Sequence, residues 1–310
     1  MSAQTLINSA NNFLWTESSL DELLIQVDEY IITSLSSNAD STQSTISAAE
    51  YAAKCHLATP GHKVRAKLCL VACLELNIKH HDMLILSAVS ELLHNASLIH
   101  DDIQDMDEMR REVETVWKRF GSNIAICAGD LLLSSAYGVL ANISDPTLLP
   151  KLIQRIANRT STVIQGQCGD IECKNQSINS LETYQNIARA KSGALLGLPI
   201  ELALIFSQQD QYLGIVQQAT SAFAIGYQII DDLNDIAKDA ALSGRPQSLN
   251  ITFVLADADS NNPIADANAL AESALTEAIK LANELPYSLG TLLVSLSNQL
   301  RGQIKHDSGC

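Results

Sequence analysis

Two short aspartate clusters are the residues of this sequence that most clearly suggest chemistry. Each has the spacing D-D-x-x-D and follows an apolar helical pattern: Asp101, Asp102 and Asp105 in the first, and Asp231, Asp232 and Asp235 in the second. Carboxylates one helical turn apart repel each other, and the C-terminal end of a helix favours cations instead. One such cluster is also common at a solvated helix end, but two copies favour metal binding.

The ligand type indicates which metal. Oxygen ligands without His or Cys suit Mg2+, which keeps several waters and shares phosphate oxygens with a substrate. The chemistry implied is a diphosphate leaving group held between two acidic helices by metal ions. The predicted metal ligands are Asp101, Asp102, Asp105, Asp231 and Asp235.

A diphosphate also requires cationic side chains, and several lie near these clusters in the sequence. Arg110 and Arg111 come soon after the first cluster, and Lys63 and Arg65 follow a proline at a predicted helix start. A helix start is a favourable place for an anion. Lys191 lies in an otherwise apolar helical pattern, where the alternative is a surface lysine whose stem covers apolar atoms.

These residues must be positioned by helices. The chain has only 14 Gly and 7 Pro, no alternating strand pattern of useful length and no G-x-G-x-x-G after a strand, which argues against a Rossmann fold. We expect one all-α domain over residues 1–310, with a first helix opening at a capping box at Ser19. Further helices are predicted over 45–58, 63–78, 81–108, 122–142, 147–176, 180–206, 209–240, 264–284 and 286–305.

Composition narrows the function classes. The net charge of −15 disfavours nucleic acid and anionic membranes as partners,. The seven cysteines form no C-x-x-C pairs, which fits reduced thiols in a cytoplasmic protein. We expect no signal peptide and no membrane span, because the longest apolar run, 195–206, is too short to cross a bilayer.

Several motifs together resemble one family. HNASLIHDDIQDMDEMRR and GYQIIDDLND are similar to the two aspartate-rich motifs of trans-prenyl diphosphate synthases. AGDLLLSSAY, IQGQCGDIE and ARAKSGALLG match the family landmarks G-D-x-L-L, G-Q-x-x-D and K-[ST] in the expected order. The resemblance covers residues 45 to 250 and is greatest to geranylgeranyl diphosphate synthases.

The resemblance implies a bundle of ten or more helices around a deep central cavity, a homodimer, and about three Mg2+ ions bound with diphosphate. It assigns catalysis to Asp101, Asp102, Lys191, Gln228 and Asp231. It assigns the allylic diphosphate to Arg110, Lys191 and Gln228, isopentenyl diphosphate to Lys63, Arg65, His94 and Arg111, and further substrate binding to Arg245. The allylic diphosphate ionises, the second substrate attacks the carbocation, and the apolar cavity excludes water.

Some positions depart from the family pattern around the second diphosphate. His62 and Lys63 stand where the family has Lys and Arg, and Glu112 and Glu114 add carboxylates beside Arg111. A later family lysine is Asn250 here. We therefore expect a weakened site for isopentenyl diphosphate. A terpene cyclase on the same fold and a non-catalytic partner subunit are the alternatives that tolerate such changes.

The residues before the first cluster predict product length. By resemblance, an aromatic residue about one helical turn before Asp101 closes the cavity at fifteen carbons. This chain has the small residues Ala96 and Ser97 at these positions. Leu93, or a bulky residue of a neighbouring helix, could close the cavity one turn deeper. We expect mainly a twenty-carbon product, with fifteen and twenty-five carbons as neighbours.

Overall fold

The computed structural model of the protein describes residues 16–37, 46–176, 180–241 and 249–304. Within these ranges the chain forms thirteen α-helices and one two-stranded hairpin. The helices are α1 (Glu17–Ser37), α2 (Ala48–Leu57), α3 (Val64–Glu75), α4 (His80–Asp105), α5 (Val116–Phe120), α6 (Ser122–Leu140), α7 (Leu149–Gln176), α8 (Leu181–Ala188), α9 (Ala194–Phe206), α10 (Leu213–Ala241), α11 (Ile251–Asp257), α12 (Pro263–Asn283) and α13 (Thr291–Arg301).

Helix α9 lies in the middle of this arrangement. Every residue from Ala194 to Ile205 is buried, as expected for a helix that is apolar on all sides. It contacts α3, α4, α7 and α10. The two helices that carry the aspartate clusters, α4 and α10, therefore both pack on α9.

A buried ion pair fixes α7 against α9. Glu201 of α9 is 0% exposed and accepts a hydrogen bond from Arg159 Nε at 2.8 Å, while Arg155 lies 3.8 Å away. Removing one partner of a buried pair leaves an uncompensated charge, which costs about 3–5 kcal/mol. The orientation of α7, which reaches the site described below, is thus well determined.

Most predicted helices are present, with four local differences. The first helix begins at Glu17, because Thr16 and Ser19 cap each other through their side chains. Helix α4 ends at Asp105, earlier than predicted, and a π-helical turn (Arg189–Gly193) separates α8 from α9. The hairpin of β1 (Met109–Arg110) and β2 (Val113–Glu114) and the short helices α5 and α11 were not predicted.

Two of the described helices, α4 and α6, are long and apolar enough to cross a membrane by length and composition alone. Within their apolar windows 67% of α4 and 44% of α6 is buried inside the protein. Core helices meet the same criterion, so this is weak evidence for a span. The run 195–206, on which the sequence argument relied, is the shorter helix α9.

Candidate active site

The first aspartate cluster lies in the last two turns of α4. Met106 ends the helix in the left-handed conformation, with φ of 57°, a common way to terminate a helix. Asp101 and Asp105 are one turn apart, and their side chains are 25% and 19% exposed. They form a partly exposed pair of carboxylates on one side of the helix.

Lys191 joins carboxylates from two helices. Its Nζ lies 3.3 Å from Asp101, 3.7 Å from Asp105 and 3.0 Å from Asp170. Burial alone would lower the pKa of Lys191, but the three carboxylates outweigh burial and raise it,. Burial raises the pKa of Asp101; Lys191 opposes this rise and Asp105 adds to it. The cluster therefore favours additional positive charge.

Asp170 was not among the predicted site residues, although it belongs to the G-Q-x-x-D landmark. Lys191 lies in the π-helical turn, a distortion often found at functional sites,. A Cβ added at Gly166 of α7 would lie only 2.7 Å from the backbone nitrogen of Lys191. This glycine therefore lets α7 approach the turn closely enough for Asp170 to reach the lysine.

Asp102 is turned into the protein, away from its two neighbours in the cluster. Arg110 holds its Oδ1 through Nε at 2.8 Å and a second guanidinium nitrogen at 2.6 Å. Asp102 is 1% exposed, and its Oδ2 is buried without a hydrogen-bond partner. The structure thus does not group Asp102 with Asp101 and Asp105. Its predicted role as a metal ligand stays a prediction, and its position suits a residue that fixes Arg110.

The second cluster, on α10, is divided in the same way. Asp231 is exposed and Asp235 partly exposed, whereas Asp232 is 7% exposed. Asp232 accepts three hydrogen bonds: from the Tyr184 hydroxyl at 2.7 Å, from Gln228 Nε2 at 2.8 Å and from the Ile251 N–H at 2.9 Å. Because the Gln228 amide nitrogen faces Asp232, its Oε1 is directed elsewhere.

Tyr227 is near charged groups of both signs. It lies one turn before Asp231 and is 43% exposed. Partial burial makes the largest contribution and raises the pKa of Tyr227. Asp231 raises this pKa further, whereas Arg65, Arg110 and Arg111 lower it. Such effects fall with distance, so Tyr227 lies near both Asp231 and these arginines. The sequence motif contains this tyrosine but did not indicate its position.

Arg65 and His94, both predicted to bind isopentenyl diphosphate, are in contact. The Arg65 guanidinium lies 3.0 Å from His94 Nε2, and because arginine can only donate, that nitrogen accepts. Burial lowers the pKa of His94 well below its usual value, and the charges of Arg65 and Arg111 lower it further. His94 is therefore neutral at pH 7.

The other two predicted ligands of this substrate have partners within the chain. Lys63 forms an ion pair with Asp28 of α1, so the structure does not group it with Arg65. The Arg111 guanidinium donates to the Pro60 carbonyl at 2.9 Å. The same guanidinium packs on Gly61. A Cβ added to Gly61 would lie only 2.2 Å from Arg111 Nη1.

The hairpin after the first cluster has an unusual turn. Arg111 and Glu112 connect β1 to β2 with φ of 53° and 66°, the pattern of a type I′ turn that normally uses Asn-Gly. A left-handed conformation costs a non-glycine residue about 1–2 kcal/mol. Glycine at the position of Glu112 would avoid this cost. Glu112 and Glu114 are exposed.

The remaining predicted residues are dispersed. Leu93 and Ala96 are each 3% exposed, whereas Ser97 is partly exposed, one turn before Asp101. Asn250 is 1% exposed and donates to the Asp232 carbonyl at 2.9 Å. Arg245 lies outside the described residues.

The donor set fits magnesium that is bound together with a diphosphate. Within the described ranges, no three Asp, Glu, His or Cys side chains form a group that could hold a metal ion on its own. Mg2+ does not need such a cage, because it retains waters and binds substrate phosphates. If Mg2+ binds in this way, the carboxylates of Asp101 and Asp105 would hold it from α4, and those of Asp231 and Asp235 would hold it from α10.

A family model described as polyprenyl synthetase matches residues 47–281, well over half of the chain. The chain belongs to the polyprenyl synthetase family. This confirms the resemblance to trans-prenyl diphosphate synthases that the motifs indicated.

Curated relatives in this polyprenyl synthetase family have several product lengths in their names. A short chain isoprenyl diphosphate synthase of Methanocaldococcus jannaschii is 30% identical over 203 residues, which are 65% of this chain and 62% of that protein. A geranylgeranyl diphosphate synthase of Mycobacterium tuberculosis is 31% identical over 161 residues, 52% of this chain and 46% of that protein. The chain thus spans about half to three fifths of the length of these relatives.

Solved structures of polyprenyl synthetases have the same fold. The geranylgeranyl pyrophosphate synthetase of the archaeon Geoglobus acetivorans has a TM-score of 0.76 at 23% identity, covering 91% of this chain and 99% of that one. A decaprenyl diphosphate synthase of Rhodobacter capsulatus has a TM-score of 0.76 at 19% identity, covering 93% and 98%. These matches confirm the all-α isoprenoid synthase fold.

Proposed function

We propose that the chain is a magnesium-dependent trans-prenyltransferase that condenses an allylic diphosphate with isopentenyl diphosphate into a longer trans-prenyl diphosphate. The observation that carries the proposal is the convergence of Asp101, Asp105 and Asp170 on the charged Lys191. Carboxylates and a fixed cation in one place suit a diphosphate that arrives with metal ions. The names of the relatives support this reaction class.

The carboxylates of both clusters hold the metal in this proposal. Asp101 and Asp105 would hold it from α4, and Asp231 and Asp235 would hold it from α10. When bound, Mg2+, about three ions by family resemblance, neutralises the diphosphate and eases its departure. Asp102 contributes by keeping Arg110 beside the cluster.

The cationic side chains bind and orient the two substrates. Lys191 and Arg110 bind the allylic diphosphate, while Arg65 and Arg111 bind isopentenyl diphosphate beside the neutral His94. The C–O bond of the allylic diphosphate breaks, and the double bond of the second substrate supplies the electrons of the new C–C bond. A proton then leaves to the released diphosphate. Gln228 turns its carbonyl oxygen away from Asp232, so that oxygen is available to a cation.

Four finer features belong to the proposal. The product is mainly C20, because Ser97, on the side of α4 that carries Asp101, is small. One connected set of buried side chains includes residues from Leu20 to Ile304, which supports a single domain. By family resemblance we expect a homodimer, and the free cysteines of the described residues suit a cytoplasmic enzyme.

A terpene cyclase is the second candidate, and the second-substrate site favours it. Lys63 is paired with Asp28, and Asn250 supplies no cation where the family has lysine. A cyclase binds a single diphosphate and does not need these charges.

Incubation with Mg2+, an allylic diphosphate and labelled isopentenyl diphosphate tests the proposal. Mass spectrometry of the dephosphorylated alcohols should show a longer labelled product. A hydrocarbon or terpene alcohol without label would identify a cyclase, and no conversion would indicate a non-catalytic subunit. Asp101→Asn, which removes a charge from the cluster at nearly constant shape, should abolish the labelled product.

A further inference from the structure

One helical segment, from Leu181 to Gly193, contacts both aspartate clusters. At its start the Tyr184 hydroxyl donates to Asp232 of the second cluster at 2.7 Å. At its end Lys191 lies 3.3 Å from Asp101 of the first cluster. The segment therefore spans the distance between α10 and α4 and has a polar contact at each end.

The contact at the Tyr184 end is buried. Tyr184 is 1% exposed and Asp232 is 7% exposed, so neither group can replace the hydrogen bond by one to water without moving. A buried carboxylate is costly unless it is hydrogen-bonded. Asp232 receives donors from α8, from its own helix and from the first residue of α11, and therefore joins three helices.

Asn250 reinforces the same junction. Its side-chain nitrogen donates to the Asp232 carbonyl at 2.9 Å, while its Oδ1 accepts from the Thr252 N–H at 2.9 Å and caps α11. This asparagine, which replaces a family lysine, thus ties α11 to α10 directly beside the second cluster.

We propose that Tyr184, supported by Asn250, is a positioning residue that orients the second aspartate cluster relative to the first. Successive residues of a helix point about 100° apart. When Asp232 is held inward, the rotation of α10 about its axis is fixed as well. This rotation determines the direction in which Asp231 and Asp235 point. The helical segment from Tyr184 to Lys191 sets their separation from Asp101. This inference rests on the proposed function, because it assumes that both clusters share one metal–diphosphate group.

The test compares two tyrosine variants that each lose one hydroxyl. Tyr184→Phe removes the contact with Asp232, and the control Tyr30→Phe removes a hydroxyl beside Asn142, where α1 meets the turn after α6. Calorimetry measures binding of inorganic pyrophosphate over a range of Mg2+ concentrations. Loss of a residue that is hydrogen-bonded directly to a metal ligand weakens metal affinity about 10–100-fold. Tyr184 acts on the ligands through Asp232, so the lower end of this range applies. We expect the Mg2+ concentration for half-maximal binding to rise about tenfold or more in Tyr184→Phe and to stay unchanged in Tyr30→Phe.

Asn250→Ser provides a second variant. Serine keeps a good helix cap but loses the bond to the Asp232 carbonyl, so its Mg2+ requirement should also rise. Thermal unfolding without metal shows how much each variant is destabilised.

A wild-type Mg2+ requirement in Tyr184→Phe and Asn250→Ser, whatever their melting temperatures, would show that the junction is only structural and overturn the proposal. If Tyr184→Phe does not fold, Asn250→Ser decides alone. If the wild type itself does not bind pyrophosphate with Mg2+, the proposed function is wrong and this inference falls with it.

Discussion

Replacing Lys191 by methionine removes the ammonium group from three carboxylates and keeps an unbranched side chain. The contact with Asp170 is a hydrogen bond of 3.0 Å, and a hydrogen bond to a charged group contributes about 1.5–3 kcal/mol. The contacts with Asp101 and Asp105 are longer and partly solvated. We therefore expect the free energy of unfolding without metal to fall by about 2 kcal/mol, which lowers Tm by about 4 °C in a protein of this size.

Magnesium should reverse part of this loss. Without the lysine, Asp101 and Asp105 have a greater affinity for Mg2+, and a ligand that binds only the folded state stabilises it by mass action. The stability difference from the wild type should therefore shrink as Mg2+ is added. Turnover should stay low, because the contact of Lys191 with the diphosphate is lost.

Lys151→Met is the matched control for this experiment. Lys151 pairs with Asp210 on the surface, where the two side chains are 50% and 38% exposed, and exposed pairs contribute about 0–1 kcal/mol. Thermal unfolding of both variants with and without Mg2+ gives the comparison. If Lys191→Met is no less stable than Lys151→Met, and Mg2+ changes neither, then Lys191 does not balance the cluster and the reasoning is refuted.

Three further predictions concern individual parts of the site. Asp101→Ala and Asp231→Ala should each lower kcat by orders of magnitude while the fold is kept; near-normal steady-state turnover at saturating Mg2+ in either variant would rule out the two-cluster mechanism. Glu112→Gly should raise the free energy of unfolding in urea by about 1 kcal/mol, because it relieves the left-handed turn; an unchanged value would mean that the turn is unstrained. Ser97→Phe should shorten the product by about one isoprene unit, whereas Ala96→Phe, at a buried position, should mainly cost about 1–3 kcal/mol of stability. Mass spectrometry of the alcohols measures the product length, and thermal unfolding measures the stability. A C20 product from Ser97→Phe would show that the prenyl chain grows elsewhere.

The sequence predicted the helices that carry the two clusters well, because the hydrophobic pattern before each cluster is long and regular. The first cluster does end α4, but α10 continues to Ala241, beyond the second cluster. It could not predict that Asp102 and Asp232 turn inward. Which of the three carboxylates is buried depends on how α4 and α10 are rotated in the bundle, and that rotation is set by packing rather than by local spacing.

Contacts between distant segments account for most of what the sequence missed. Asp170 reaches Lys191 only because Gly166 lets α7 approach the π-helical turn, and a π-helical turn leaves no simple periodic signal. Lys63 pairs with Asp28, which lies 35 residues earlier in the sequence, on α1. The strands of the hairpin have two residues each, too short for an alternating pattern to be recognised.

Anomalous diffraction from crystals containing Mn2+ and inorganic pyrophosphate tests the central claim most directly. The account predicts metal peaks on both sides of the diphosphate, about 2.1 Å from carboxylate oxygens of Asp101 and Asp105 on one side and Asp231 on the other. Asp102 should remain bound to Arg110. A diphosphate bound without metal, or metal peaks that contact only one of the two clusters, would contradict the account.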